Sequence, residues 1–487
     1  MASHHPAHVQ IVEQFTAPRN SNAIIYSLLG IGVVLFLLGL LFPFPATHGA
    51  DDHGGGHGSA GASVTLVAQH EGEATTHDST HTDSAAHAAP HGASADHAAG
   101  TAHTAAADHG AEAGGHHAAP TQGQRIWANL LICGFMFTGV GLMSLFFLAV
   151  SYVTDAGWMS VIRRVAEGMS FMLPVGVAVM LLVVFVGAPY LYHHWWPTAG
   201  HNPLVEDPIL AKKTWWLGVP KFYLRTLVYA VLWLGFWWWI RRVSLAEDKA
   251  TTDMRGRLVR VAAPFVIVFA LSWSAASWDW VMSLEPHWFS TMFGVYTFAS
   301  IFVTTLALLT ICSVYLKANG LLPVFNNSHL HDLGKFVFAF SIFWTYIWFC
   351  QFLLIWYANI PEETQYFVDR LGQFNKYDGP YVGYFFGGFV ICFVVPFFGL
   401  MTAGSKRIAY YLSIVGLVIV LGHWIDISQM VLPGVLGPYG GFGFIELGLF
   451  VFFLGLFFLV TRYGLAQAPL IARNDRYLKE SILHEYH

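Results

Sequence analysis

Runs of roughly 20 apolar residues, each long enough to cross a bilayer as a helix, recur along almost the whole of this 487-residue chain. Only 11% of its residues are charged and 55% are hydrophobic, which is too apolar for an ordinary soluble domain. The pattern predicts an all-α integral membrane protein with ten spans. They run over about Ile24–Phe44, Trp127–Ser151, Glu167–Gly187, Phe222–Ile240, Leu258–Ser277, Met292–Leu316, Gly334–Ala358, Tyr381–Ala403, Ile408–Met430 and Phe444–Arg462. Proline bounds the first span at Pro43 and Pro45, and Pro174 is expected to kink the third. Net charge is slightly negative, and no basic patch points to nucleic acid. No cleavable leader is evident before the first span.

Residues 46–124 change character. They are rich in Ala, Gly, His, Asp, Ser and Thr, with too few large apolar residues to offset the entropy of ordering them. Only Val64–Val67 has the look of a short strand. Histidines recur from His48 to His117, and such a tract binds transition metals loosely. Their irregular spacing fits no closed site, so the segment reads as a solvated tether. The four cysteines, Cys133, Cys312, Cys350 and Cys392, lie singly in different apolar runs. With no C-x-x-C there is no iron–sulfur ligand set and no covalent haem site. Only His423 is clearly inside a span, whereas a b-type haem needs two axial ligands, so this chain is expected to bind no redox group of its own.

Lysine and arginine concentrate in alternate loops: Arg163 and Arg164, the cluster from Arg241 to Arg260, Lys406 and Arg407, and Arg462 to Lys479 share one side. The positive-inside rule then puts both termini in the cytoplasm and the His-rich loop outside. The layout is a cytoplasmic tail (1–23), a first span (24–45), the loop (46–124), a first helical half with its joint (125–291), a second half (292–430), a last span (431–462) and a cytoplasmic tail (463–487).

Against this apolar background the ionisable residues stand out. His423 and Asp426 are three apart and share a helix face. An unpaired charge at such depth costs about 2–3 kcal/mol even on the lenient insertion scale, so both should face the interior and meet a partner or water. The expected depth is one to two turns from the outer end of the ninth span, with Glu446 as a candidate neighbour and Gln351 at a similar level. Asp279, Glu285 and His287 sit at the same outer level, in a joint that also carries Trp273, Trp278, Trp280 and Trp288. Glu167, Asp332 and Lys335 collect nearer the cytoplasm. Tryptophan anchoring at the interface and structural hydrogen bonds account for these groups as readily as two half-paths for protons or substrate.

Several strings carry a resemblance. They are Arg163-Arg164-Val-Ala-Glu167-Gly-Met, Ser-Leu-Glu285-Pro-His287-Trp-Phe-Ser-Thr-Met-Phe-Gly-Val-Tyr296, His331-Asp-Leu-Gly-Lys335, the run through Phe-Cys-Gln351 to Glu362-Glu363, and Gly422-His-Trp-Ile-Asp426. From about residue 125 onward the chain resembles the F subunits of bacterial alternative complex III, a quinol:cytochrome c oxidoreductase, which are related to polysulfide-reductase-type membrane subunits. The resemblance implies two four-helix bundles, helices 2–5 and 6–9, flanked by helices 1 and 10, in the bacterial inner membrane. It also implies partners: a sister ten-span subunit with the quinol site, an iron–sulfur subunit, multihaem and monohaem cytochromes c, and a terminal oxidase. Haem c and iron–sulfur clusters would belong to those partners, and the quinol would be of menaquinone or ubiquinone type. In the sister subunit the quinol pocket is built around a histidine on helix 2. Here Trp127–Ser151 has neither histidine nor acid to accept a quinol proton. The expected role is support of the cytochromes plus proton conduction, along Glu167, Lys335, Gln351, His423, Asp426, Glu446, Asp279, Glu285 and His287. A quinol-binding subunit and a metal or ion transporter are the rival expectations.

Overall fold

A computed structural model of the chain describes residues 15–42, 119–372, 376–472 and 474–485. The His-rich segment, with the strand expected at Val64–Val67, lies outside the described residues. Among the described residues all extended regular structure is helical, and β pairing is limited to one isolated bridge between Thr198 and His201. The long helices are α1 Arg19–Leu41, α2 Gln122–Val153, α3 Arg163–Leu191, α4 Val219–Glu247, α5 Arg255–Trp280, α6 Phe293–Ala318, α7 Asn327–Ala358, α8 Val382–Leu400, α9 Ala409–Leu436 and α10 Phe444–Ala466. Nine of these are long and apolar enough to cross a membrane. The other, α4, has 29 residues, but its tryptophans and its arginines lower its mean hydropathy.

Two features of the helices follow from proline chemistry. Pro174 has no N–H for the carbonyl of Ser170, and α3 breaks there: Arg163–Met169 ends, and Met172–Leu182 begins after two intervening residues. Further on, π-helical turns at Val183–Gly187 and Val390–Val394 each run directly into a segment carrying proline at its second position, Pro189 and Pro396. A missing donor and a bulky ring favour this wider turn.

Packing closes two rings. α2 contacts α3, α3 contacts α4, α4 contacts α5, and α5 returns to α2; α6, α7, α8 and α9 close in the same way. α2, α5, α6 and α9 meet where the rings adjoin, and α1 lies along α10, which also touches α2 and α3. The α1–α10 approach is close enough that a Cβ on Gly32 would lie 2.5 Å from the Phe452 backbone, and one on Gly448 2.5 Å from that of Phe36. Small residues at such crossings let helices pack where lipid gives no hydrophobic drive. Both described chain ends, with the ends of α2, α4, α6 and α8 and the starts of α3, α5, α7 and α9, share one face, here the terminal face; the opposite one is the loop face.

Several boundaries differ from expectation, among them the start of α7, at Asn327 rather than Gly334, and the end of α4, at Glu247 rather than Ile240; two differences bear on the site. α9 continues to Leu436 rather than stopping at Met430, so His423 and Asp426 lie about 20 and 15 Å from its loop-face end. That is nearer mid-helix than expected. The stretch Asn359–Pro380, read as a polar loop, contains a helix at Pro361–Leu371. Proline opens it, Glu362 and Glu363 sit in its first turn and Arg370 in its last, each sign matched to the local end of the helix dipole.

Candidate functional site

The buried polar residues fall into separate groups. At the terminal face, Glu167 is enclosed by three arginines. Its Oε2 takes Arg164 Nη1 at 2.6 Å and Arg241 Nη1, and its Oε1 takes Arg163 Nε at 3.2 Å and the Ser244 hydroxyl at 2.5 Å. Arg163 also binds Glu247 and Asp475, at 2.5 and 2.9 Å, and Arg164 binds Asp248 at 2.5 Å. Glu167, Arg163 and Arg164 are all about 2% exposed.

Inside the second ring, Asp426 is held by neutral donors. Tyr296 of α6 donates its hydroxyl to Oδ1; Ser300 of α6 and Trp344 of α7 donate to Oδ2, each at 3.0 Å. The Ser300 oxygen is also 3.0 Å from Nδ1 of His423. Serine has one hydroxyl proton, so if it goes to Asp426, His423 must donate through Nδ1. The neutral ring then carries its lone pair on Nε2, which is buried and has no partner among the described residues.

This cluster continues toward the loop face. Gln429, one turn on from Asp426, donates to the Tyr296 hydroxyl at 3.4 Å, and its backbone carbonyl accepts Arg370 Nε at 3.1 Å. Arg370 grips Glu285 with both terminal nitrogens, at 3.1 and 2.7 Å, and lies 3.4 Å over the ring of Tyr366. Glu285 and Tyr366 line a loop-face cavity of about 600 Å3 with His193, His194, His287 and Trp288. Burial raises the Glu285 carboxyl above its ordinary range, and the charge and hydrogen bonds of Arg370 pull it only partly back. A line of polar groups thus runs from the cavity through Glu285, Arg370, Gln429, Tyr296, Asp426 and Ser300 to His423; at Gln429 it is joined only through that residue's covalent frame, since Arg370 binds its main-chain carbonyl and Tyr296 its side-chain amide.

Of the residues expected on a path, this line joins Glu285, Asp426 and His423. The others close locally. Asp279 takes both ends of a bidentate Arg225, at 2.7 and 2.8 Å, plus Tyr229 at 2.8 Å. Glu446, considered as a neighbour of His423 and Asp426, instead pairs with Arg125 at 2.6 Å and Asn129 at 3.0 Å and caps its own helix through Gly443 N–H. His287 binds Asp207 at 2.6 Å on an exposed loop. Lys335 pairs with Asp332 at 2.6 Å, and Asp332 also meets His484. Gln351 is buried in α7 with Oε1 unpartnered among the described residues. Among the described residues, no three His, Cys, Asp or Glu side chains converge as a metal site.

Arg370, Tyr296, Ser300, Trp344 and Gln429 were missed by sequence reasoning. Arg370 carried a usable signal: Tyr366, Phe367, Arg370 and Leu371 recur at i, i+1, i+4 and i+5 after a proline and two glutamates, and all four are buried. No family model and no curated protein matches the chain.

Proposed function

We propose that this chain is a multi-pass subunit of a bacterial inner-membrane quinol:cytochrome c oxidoreductase of the alternative complex III type. It has no redox centre of its own, anchors the iron–sulfur and cytochrome c subunits, and carries protons across its outer half. In this reading α4 is the tenth span, the two closed rings are the two four-helix bundles, α1 and α10 flank them, and both termini are cytoplasmic. The long strings around Glu167, Glu285, Gln351 and Asp426 support the assignment, and so does the ring-wise packing of α2–α5 and α6–α9. The observation that carries proton conduction is the buried hydrogen-bonded cluster of Tyr296, Asp426, Ser300 and His423, with Gln429 on its loop-face side toward the Glu285 cavity.

Only this loop-face part of the expected path is retained. Glu167 has both oxygens taken by three arginines and the Ser244 hydroxyl, and among the described residues no hydrogen bond links that group to the line. The proposal is tested by purification and by pumping. The chain should co-purify with haem-staining partners in fixed ratio, and Asp426→Asn complexes in liposomes should keep quinol turnover while proton release to the outside falls. Release equal to wild type in both Asp426→Asn and Tyr296→Phe would remove the conduction role; absence of haem partners would remove the complex.

A second reading has one observation in its favour. The cavity beside Glu285 and Tyr366 is large enough for a quinol head group, and Glu285 stands at its edge. A photoreactive quinone that labels only the sister subunit would exclude it.

A further inference from the structure

Between α1, α6 and α10, toward the terminal face, lies a groove of about 200 Å3 that plays no part in the line described above. Its walls are Ile25, Ile311, Cys312, Leu316, Phe458 and Leu465. Its rim is different. Arg462 stands there, hydrogen-bonded to Asn22 and, among the described residues, paired with no carboxylate. Beside it, Thr461 is 3% exposed, lines the groove, and its hydroxyl has no partner among the described residues. That hydroxyl exposes almost no surface to the groove, which offers an occupant apolar walls and, at its rim, a cation.

The surroundings say what that is. Only 17% of the apolar window of α1 is buried, so most of this helix faces outward along an apolar belt, and lipid tails are what such a belt meets. The geometry points to a bound phospholipid of anionic head group: one acyl chain in the groove and the phosphate at Arg462. The charge is complementary, and Arg19, exposed at the start of α1, adds a second cation on the same face. A cation near the surface favours anionic lipid by about fivefold per residue. The site is independent of the respiratory assignment, since it needs only that α1, α6 and α10 sit in a bilayer.

The test places the full-length protein in nanodiscs of phosphatidylcholine with a minor fraction of phosphatidylglycerol and counts retained lipids by native mass spectrometry. The wild type should keep one phosphatidylglycerol, enriched over its bulk share. Arg462→Gln should cut that enrichment about fivefold, and Arg462→Lys should restore most of it. Cys312→Trp, which fills the groove, should abolish retention while the unfolding temperature of the variant stays near wild type. If Cys312→Trp unfolds, Ile311→Phe takes its place. Equal retention of the two lipids by wild type, or unchanged enrichment in Arg462→Gln, overturns the head-group assignment. Retention that survives a folded groove-filling variant overturns the groove.

Discussion

Glu167 and Asp426 are both carboxylates buried to within about 2% of complete, yet their surroundings are opposite in kind. Around Glu167, on helix ends at the terminal face, three guanidinium groups and three further carboxylates compensate one another. Around Asp426, in mid-helix, a phenol, a hydroxyl and an indole N–H do the holding, with an imidazole next in line. Arginine stays charged under all physiological conditions, so the first arrangement fixes its carboxylate as an anion and acts as a lock. Neutral donors solvate an anion without compelling it, and two of them, phenol and hydroxyl, can reverse their donation. The first region holds the chain together by ion pairs, and the second is the one on which the proposed proton path rests.

Substitution should separate the two. Replacing Glu167 by Ala, or by the isosteric Gln, takes a shared carboxylate from three buried arginines and leaves Arg241 with none among the described residues. The expected loss is about 3–5 kcal/mol for Ala, the range for breaking a buried ion pair by removing one partner, and Gln should recover little of it. The loss would be read as a lowered unfolding temperature of the purified protein in detergent, with poor yield. A Glu167→Gln protein as stable as wild type would mean that the arginines are solvated by water, and the lock would be dissolved.

The same pair of changes at Asp426 should behave differently. Asp426→Ala leaves Tyr296, Ser300 and Trp344 without their acceptor, at about 1–3 kcal/mol. Asp426→Asn keeps an acceptor oxygen of the same shape and should cost less than Ala, even though its proton-carrying capacity is gone. Tyr296→Phe removes one hydrogen bond to a charged group, for about 1.5–3 kcal/mol if the carboxylate is ionised and about 1 kcal/mol if it is protonated. The Tyr296→Phe value, measured in wild-type and Asp426→Asn backgrounds as a double-mutant cycle, reports which form is present. A Tyr296→Phe cost near zero in the wild-type background would mean that Asp426 does not depend on Tyr296, and the contrast with Glu167 would lose its basis.

The helical class and the membrane spans are legible because 20-residue apolar runs are a local property. So is the His423–Asp426 pairing on one face, which needs only helix geometry. What the chain could not reveal by inspection is who neutralises whom. Asp279 finds Arg225 54 residues away, Glu285 finds Arg370 85 away, and Glu446 finds Arg125 321 away. No periodicity encodes such separations, so acids that looked like members of one path turn out to be closed by different arginines. The polar partners of Asp426 were hidden for another reason. Tyrosine, serine and tryptophan on an apolar span are ordinary packing residues until a neighbouring helix places a carboxylate against them. The extension of α9 to Leu436 was masked by Pro433, which sits inside the helix near its end and resembles a stop.

Glu285 offers the smallest and most diagnostic effect, because it stands between the two types: one arginine, a cavity on one side, and burial that outweighs its partner. Its carboxyl is raised in the folded state, so the native protein binds this proton more tightly than the unfolded chain does. Stability from this group is therefore greatest below the ordinary carboxylate range and declines as pH rises through the interval up to the raised value. Glu285→Gln cannot titrate and should be flat over the same interval. The unfolding-temperature difference, wild type minus Glu285→Gln, should thus fall as pH rises above the ordinary carboxylate range and then level off. A difference that instead grew with pH would show Arg370 overriding burial. Glu285 would then be a lock like Glu167, and the line from the cavity to His423 would be closed at its outer end.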